Sequence, residues 1–247
     1  MLGWTGEGER VTDSMVDLTT EMAGLWAALG PASAHRGRVI QFVSATTGEG
    51  ASTVAREYAR LAAVRARKPV WLIDGDLAQQ GQMDAVAAEP ERFGRLAAPV
   101  QASPDGSAFY AVTPSMRGRD GRPVAPARLM TARACLGGRL FVTRFHMELT
   151  RAGQRVEPLG EARYWAALRA HADTVVIDTP AADRSDMAIT LAPFIDATII
   201  VVAAETTAAG EPVALRDEID AVGGHIAGVV MNRSTWTPPS ILSRLAG

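Results

Sequence analysis

Lysine is nearly absent from this chain. Lys+Arg total 25, and Lys68 is the lone lysine; every other basic residue is arginine. Cysteine is also scarce. The single Cys135 excludes an internal disulfide and fits a reducing compartment, with a buried, inert thiol as its default role. Long apolar runs are missing. The most apolar stretch, Ala188 to Ala204, is broken by Asp196 and reads as a helix end followed by a strand, so no membrane span is expected. Met1 to Asp13 carries Glu7 and Glu9 but no apolar core, which excludes a signal peptide and suggests a flexible tail. Net charge is only −2, so the basic field that would draw nucleic acid or an anionic bilayer is absent, and no nucleic-acid partner is expected. Tyrosine is limited to Tyr58, Tyr110 and Tyr164, and none follows Asn232.

What is present is a strand–loop–helix unit from Val39 to Leu61. Val39-Ile40-Gln41-Phe42-Val43 reads as a buried parallel strand. The loop that follows contains Gly48, Glu49, Gly50, Ala51, Ser52 and Thr53, and a helical pattern then begins at Val54. Glycines let a backbone curl until its N–H groups face an anion, and a helix N-terminus adds partial positive charge. These six residues are therefore the candidate cofactor-binding set. The usual phosphate-binding loop ends Gly-Lys-Ser/Thr. Here the lysine position is Ala51, while Ser52 keeps the hydroxyl that would hold Mg²⁺. Drift toward arginine does not explain an alanine, because arginine would have kept the charge. Lys68 sits at the far end of the helix and is poorly placed to substitute.

Two further strands end in acids. Val70 to Ile73 leads into Asp74-Gly75-Asp76, and Thr174 to Ile177 leads into Asp178-Thr179-Pro180. Carboxylates at strand C-termini lie where open α/β sheets bind ligands. Asp74, Asp76 and Asp178 are the candidate catalytic residues, with Ser52, Asp76 and Asp178 as the candidate metal set. Further strands are expected at Thr198 to Val202 and Ile226 to Asn232, and helices at Asp13 to Leu29, Glu161 to His171, Asp186 to Leu191 and Glu211 to Val222. The alternation predicts an α/β fold, one doubly wound, mostly parallel sheet with helices on both faces, and the phosphate-loop pattern after its first strand makes that fold P-loop NTPase-like. It occupies residues 14–247 as a single domain, with an N-terminal helix over 14–30. Residues 77–172 are the least legible, an elaboration of the sheet. Phe109 to Val112 and Arg139 to Phe145 suggest strands there, but the alternation in the second does not show which face is buried. His146 and His171 read as structural or surface residues. Pro238 to Leu245 could form a short amphipathic helix, and Trp4, Trp26 and Trp236 could mark an interface, although core burial is the default.

Taken together, the motifs resemble those of bacterial tyrosine kinases (BY-kinases). SATTGEGAST resembles their loop, VWLIDGDLA their D-x-D-x-R segment, VVIDTP their Walker B strand and HIAGVVMN the strand whose asparagine lies near the adenine. The resemblance implies ATP or ADP with Mg²⁺ as ligands and adds Asn232 to the cofactor set. It also implies a cytoplasmic role at the inner membrane beside a polysaccharide co-polymerase, in exopolysaccharide, capsule or holdfast synthesis, with a possible homo-oligomer. The departures fall on catalysis. The loop lysine is Ala51, the D-x-D-x-R arginine is Ala78, and the ring-forming E-x-x-R-x-x-R helix reads Glu21, Gly24 and Ala27. The tyrosine-rich tail is missing. The expectation is a non-catalytic or weakly active subunit with weakened nucleotide binding. The alternatives are an active ATPase or protein-tyrosine kinase with a rewired loop, and a ParA/MinD-like positioning ATPase. In the last class an early loop lysine is expected where Thr46 and Thr47 stand.

Overall fold

The structure is a computed structural model, and it describes residues 18–33, 35–118, 121–122, 124–204 and 206–233. The tail over 1–13, the start of the first helix before residue 18, Trp4, Trp236 and the amphipathic stretch from Pro238 to Leu245 lie outside the described residues.

In chain order the main elements are α1 (Thr19–Leu29), β1 (Arg38–Ser44), α2 (Ala51–Arg65), β2 (Val70–Asp74), α3 (Gln82–Ala88), α4 (Pro90–Phe93), β3 (Pro99–Gln101), β4 (Tyr110–Thr113), β5 (Met130–Cys135), β6 (Leu140–Phe145), β7 (Arg155–Pro158), α5 (Ala162–His171), β8 (Thr174–Asp178), α6 (Met187–Leu191), β9 (Ala197–Ala203), α7 (Gly210–Ala221) and β10 (Ile226–Asn232). Eight strands form one sheet in the order β10-β9-β1-β8-β2-β6-β5-β3, and β4 pairs with β7 in a separate ribbon. The six strands from β10 to β6 run parallel; β5 and β3 continue the sheet antiparallel.

Burial on both faces explains why the central strands read as continuous apolar runs. Ile40 and Phe42 of β1, Leu72 of β2, Val176 of β8 and Ile199 and Val201 of β9 pack beneath α2, with α1 outside it. The opposite pleat, Val39, Trp71, Ile73, Val175 and Ile177, packs on Tyr164, Trp165 and Leu168 of α5. Val43, Ile200 and Val202 meet α6 and α7. Helices thus cover both faces, as the alternation predicts. Trp26 of α1 is half-buried against the α2 cluster, with the Arg65 guanidinium 4.9 Å over its ring.

The 77–172 stretch supplies β3, β5 and β6 to the same sheet, along with α3, α4 and the β4–β7 ribbon. Strand β6 is covered on both sides, which accounts for its ambiguous alternation. Leu140 and Val142 join the α2 cluster, while Phe145 joins the α5 cluster and Phe141 stacks on Trp71 with centroids 4.9 Å apart. Cys135 is buried at the end of β5, and burial raises its thiol to about 11, which leaves it inert.

At the other end of the sheet Asp196, just before β9, holds the start of β1. One carboxylate oxygen accepts from the Val39 N–H (2.7 Å) and from two nitrogens of Arg169 (3.0 and 2.9 Å). The Asp196 N–H donates back to the Val39 carbonyl at 2.9 Å.

Candidate nucleotide site

Chain reversal around β1 creates the site. The strand leads through its loop into α2 and on to β2, which lies beyond β8, whereas β9 lies on the other side. The C-terminal ends of β1, β8 and β2 therefore border a crevice at a topological switch point. Register fixes the acids: Phe42 pairs with Asp178, and Asp178 pairs with Asp74, so two carboxylates stand side by side at the mouth.

The loop has the shape of an anion cradle. Gly48 and Gly50 adopt φ of 93° and 91°, left-handed values that favour glycine. At Gly50 space also decides, because a Cβ would sit 2.1 Å from Asn232 Nδ2. That amide donates to the Glu49 carbonyl at 2.8 Å and braces the loop from behind. Helix α2 starts at Ala51, so the first-turn N–H groups of Ala51 and Ser52 have no partner inside the helix. They border a cavity of about 360 Å³. Glu49 faces away from it. Its buried carboxylate accepts from the Thr46 N–H at 2.9 Å, from the Ala203 N–H at 3.2 Å and from the Thr207 hydroxyl. Asp183 accepts from both the N–H and the hydroxyl of Thr47. The loop is therefore held by the protein itself.

The structure brings Gly48, Gly50, Ala51, Ser52, Asp74, Asp76 and Asp178 onto one cavity wall. Glu49 and Asn232 support the loop from outside that wall, and Thr53 lies in the first turn of α2. Longer polar side chains that the sequence did not single out also line it: Arg56, Gln79, Gln82, Arg184 and Arg233. Arg184 follows the Asp178 strand end and pairs with Asp76 at 2.8 Å. Arg233 follows β10 with φ 55°. None of the three arginines sits in a motif, so no spacing rule points to them.

The acids have distinct duties. Asp74 is 1% exposed and accepts from the backbone N–H groups of Asp76, Gly81 and Gln82 (3.2, 2.8 and 2.9 Å). It therefore caps α3 from a distance. Burial, with the neighbouring charges of Asp178 and Asp76, pushes its pKa up to about 7. Asp76 accepts from the N–H groups of Ala78 and Gln79 besides its ion pair. Asp178 is raised to about 6, chiefly by burial, against the opposing hydrogen bonds of Gln82 and Ser52.

Those last two bonds bear on Mg²⁺. The Ser52 hydroxyl donates to one oxygen of Asp178 at 3.1 Å. Gln82 Nε2 donates to the other at 2.6 Å and to the Ser52 carbonyl at 2.9 Å. Gln82 Oε1 accepts from Arg56 at 3.3 Å. The amide orientation is fixed by these partners, since both acceptors need N–H and the arginine needs an oxygen. Of the metal set expected from the sequence, Asp76 and Asp178 thus have carboxylate oxygens already taken by Arg184 and Gln82, which does not suit a directly bound divalent ion, while the Ser52 hydroxyl donates and keeps its oxygen lone pairs. Among the described residues no group of three or more His, Cys, Asp or Glu side chains is placed to hold one.

No family model and no curated protein matches the sequence. Solved structures do match in shape. The chimerical protein CapA2B2 aligns with a TM-score of 0.58 at 18% identity, covering 90% of this chain and 88% of that one. The kinase domain of VpsO gives 0.53 at 20% identity over 81% and 86%. The kinase domain of the Escherichia coli tyrosine kinase ETK gives 0.51 at 13% identity over 88% and 76%. No helix among the described residues is long and apolar enough to cross a membrane. The parallel sheet, the loop at its switch point and these likenesses together show a P-loop NTPase-like fold, similar to that of tyrosine kinase domains.

Proposed function

We propose that the chain is a non-catalytic or weakly active BY-kinase-like subunit. It acts in the cytoplasm, peripheral to the inner membrane, and regulates exopolysaccharide or capsule synthesis, chain length or export with a membrane co-polymerase. The observation that carries this reading is one wall of one cavity. The loop keeps the glycine conformations and helix N-terminus that receive phosphate, yet the position that needs a lysine holds Ala51, 6% exposed. A preorganised transition-state donor is typically worth about 10²–10³ in rate. Its loss, with Gln82 rather than an open ligand position against Asp178, argues against efficient phosphoryl transfer. The partner and the polysaccharide role rest on the motif resemblance.

The test is turnover by the purified chain with ATP and excess Mg²⁺, following phosphate release and phosphotyrosine together. The expected result is neither product above a protein-free blank. Sustained turnover would overturn the reading. In cells, an Asp178→Asn variant is expected to sustain the same polysaccharide output as the parent.

One observation favours a second reading, an ATPase with a rewired loop. Arg184 lines the same cavity, paired with Asp76 at 2.8 Å and with a third of its side chain exposed, so it supplies a cation to the wall that lacks the loop lysine. Turnover abolished by Arg184→Ala would select that alternative.

A further inference from the structure

Gln82 sits where α2 meets the C-terminal end of β8. It is a neutral side chain, 1% exposed, with its amide wedged between the α2 carbonyl of Ser52 and the carboxylate of Asp178. A cation would bind the oxygen atoms around this point. Gln82 supplies two N–H donors to two of those oxygens, and the Ser52 hydroxyl supplies a third donor to Asp178. The role of a bound ion as electropositive bridge between α2 and the β8 strand end is thereby filled from within the chain.

The positive charge appears elsewhere on the wall. Arg184, from the turn after β8, and Arg56, one turn along α2 from Ser52, border the same cavity. Arg56 Nε is buried with no hydrogen-bond partner among the described residues, and one of its terminal nitrogens meets Gln82 Oε1. Arg184 is held at the mouth by Asp76 at 2.8 Å. Arginine binds phosphate oxygens through a planar fork and keeps its charge at any physiological pH.

We infer that Gln82 stands in for the divalent cation of this pocket, so that the loop holds a polyphosphate anion free of metal, its charge met by Arg184 and Arg56. The ligand class is a nucleoside diphosphate or triphosphate without Mg²⁺. The inference rests on reading the cavity as a nucleotide-type site, but it does not require that the site be inactive.

The experiment is calorimetric titration of the full chain with ADP, and separately with inorganic pyrophosphate, once in EDTA and once in excess Mg²⁺. ADP is expected to bind in EDTA at least as tightly as in Mg²⁺. Binding of pyrophosphate alone would place the recognition in the phosphates; binding of ADP alone would add the nucleoside, and either supports the inference. Arg184→Ala is expected to weaken binding in EDTA by roughly ten- to a hundredfold, the span of a lost charged hydrogen bond. Gln82→Glu sets a carboxylate beside Asp178 and is expected to make binding Mg²⁺-dependent. Circular dichroism checks that each variant folds, and the parent comparison stands without them.

No heat from either anion in either buffer would overturn the inference, as would ADP binding that Mg²⁺ tightens tenfold or more. Parallel ATP turnover separates the two claims. Mg²⁺-dependent ADP binding without hydrolysis defeats this inference alone, whereas hydrolysis with metal-independent binding defeats the non-catalytic reading alone.

Discussion

The two sides of the cavity have been treated differently. On the α2 side the loop is built from backbone: left-handed glycines, free first-turn N–H groups and a brace from Asn232. On the β2–β8 side the chemistry belongs to side chains, and nearly every one is already engaged, Asp74 by three backbone N–H groups and Asp178 by Gln82 and Ser52. A backbone cradle depends on where glycine is tolerated, so it outlasts changes in neighbouring side chains. A metal corner depends on carboxylates left unpartnered, and one intruding amide is enough to close it.

Four changes would break or sharpen that contrast. The largest effect is expected from Gly50→Val, which combines a strained φ with a clash against Asn232. Loss of anion binding altogether and a fall in stability of about 1–3 kcal/mol are expected, read by calorimetry and urea unfolding.

Next comes pH, which probes the acid side. Asp74 and Asp178 have folded pKa values of about 7 and about 6, above the unfolded value for aspartate of about 3.9. Between those limits the folded state holds protons that the unfolded chain has released. Stability from this pair is therefore fullest below about pH 4 and declines as pH rises to about 7, before levelling. Urea midpoints between pH 5 and pH 8 should show the decline, and Asp74→Asn should flatten it. A midpoint that rises over this range without any carboxylate dependence would remove Asp74 and Asp178 as protonated buried acids.

Ala51→Lys returns a cation to the cradle. It is expected to tighten ADP roughly ten- to a hundredfold with little change in the unfolding midpoint, because the side chain can extend into the cavity. The smallest effect is expected from Asp76→Asn. The Asp76–Arg184 pair is partly exposed, so its loss should cost under about 1 kcal/mol of stability. Affinity for a metal-free anion should rise a few-fold as Arg184 is released.

Much of the frame could be read from sequence. The strands that became β1, β2, β8 and β9 announce themselves because apolar runs of this kind are buried on both faces, and β10, an edge strand with alternate residues exposed, is apolar enough to be read with them. β5 carries Thr131 and Arg133 among its apolar residues, and β3 and β7 are only three and four residues long, so neither period nor length distinguishes them from loop. Helix α3 has no capping residue of its own; its first N–H groups are satisfied by Asp74, eight residues before Gln82 and across a turn. That same cap gives Asp74 a structural duty beside its place on the cavity wall, one that only three-dimensional contact reveals. Gln82 was hidden for the related reason that it sits in a Gln- and Gly-rich stretch that reads as solvated loop, where nothing local signals burial. The loop glycines were legible because their conformational demand is local. The arginines that face them were not, because each arrives from a different turn.

The bond network at Asp196 has a consequence at the opposite end of β1. By tying the Val39 N–H and carbonyl to the start of β9, it fixes the origin from which the strand is measured. From Val39 to Ser44 the chain climbs at about 3.3 Å per residue, so the cradle stands roughly 17 Å above that anchor. β1 thus behaves as a ruler with its zero mark clamped. A slip of one residue would swap Phe42 with Val43 across the sheet and shift the glycines relative to Asp178, so the height of the ligand platform is set by a carboxylate that never approaches the ligand.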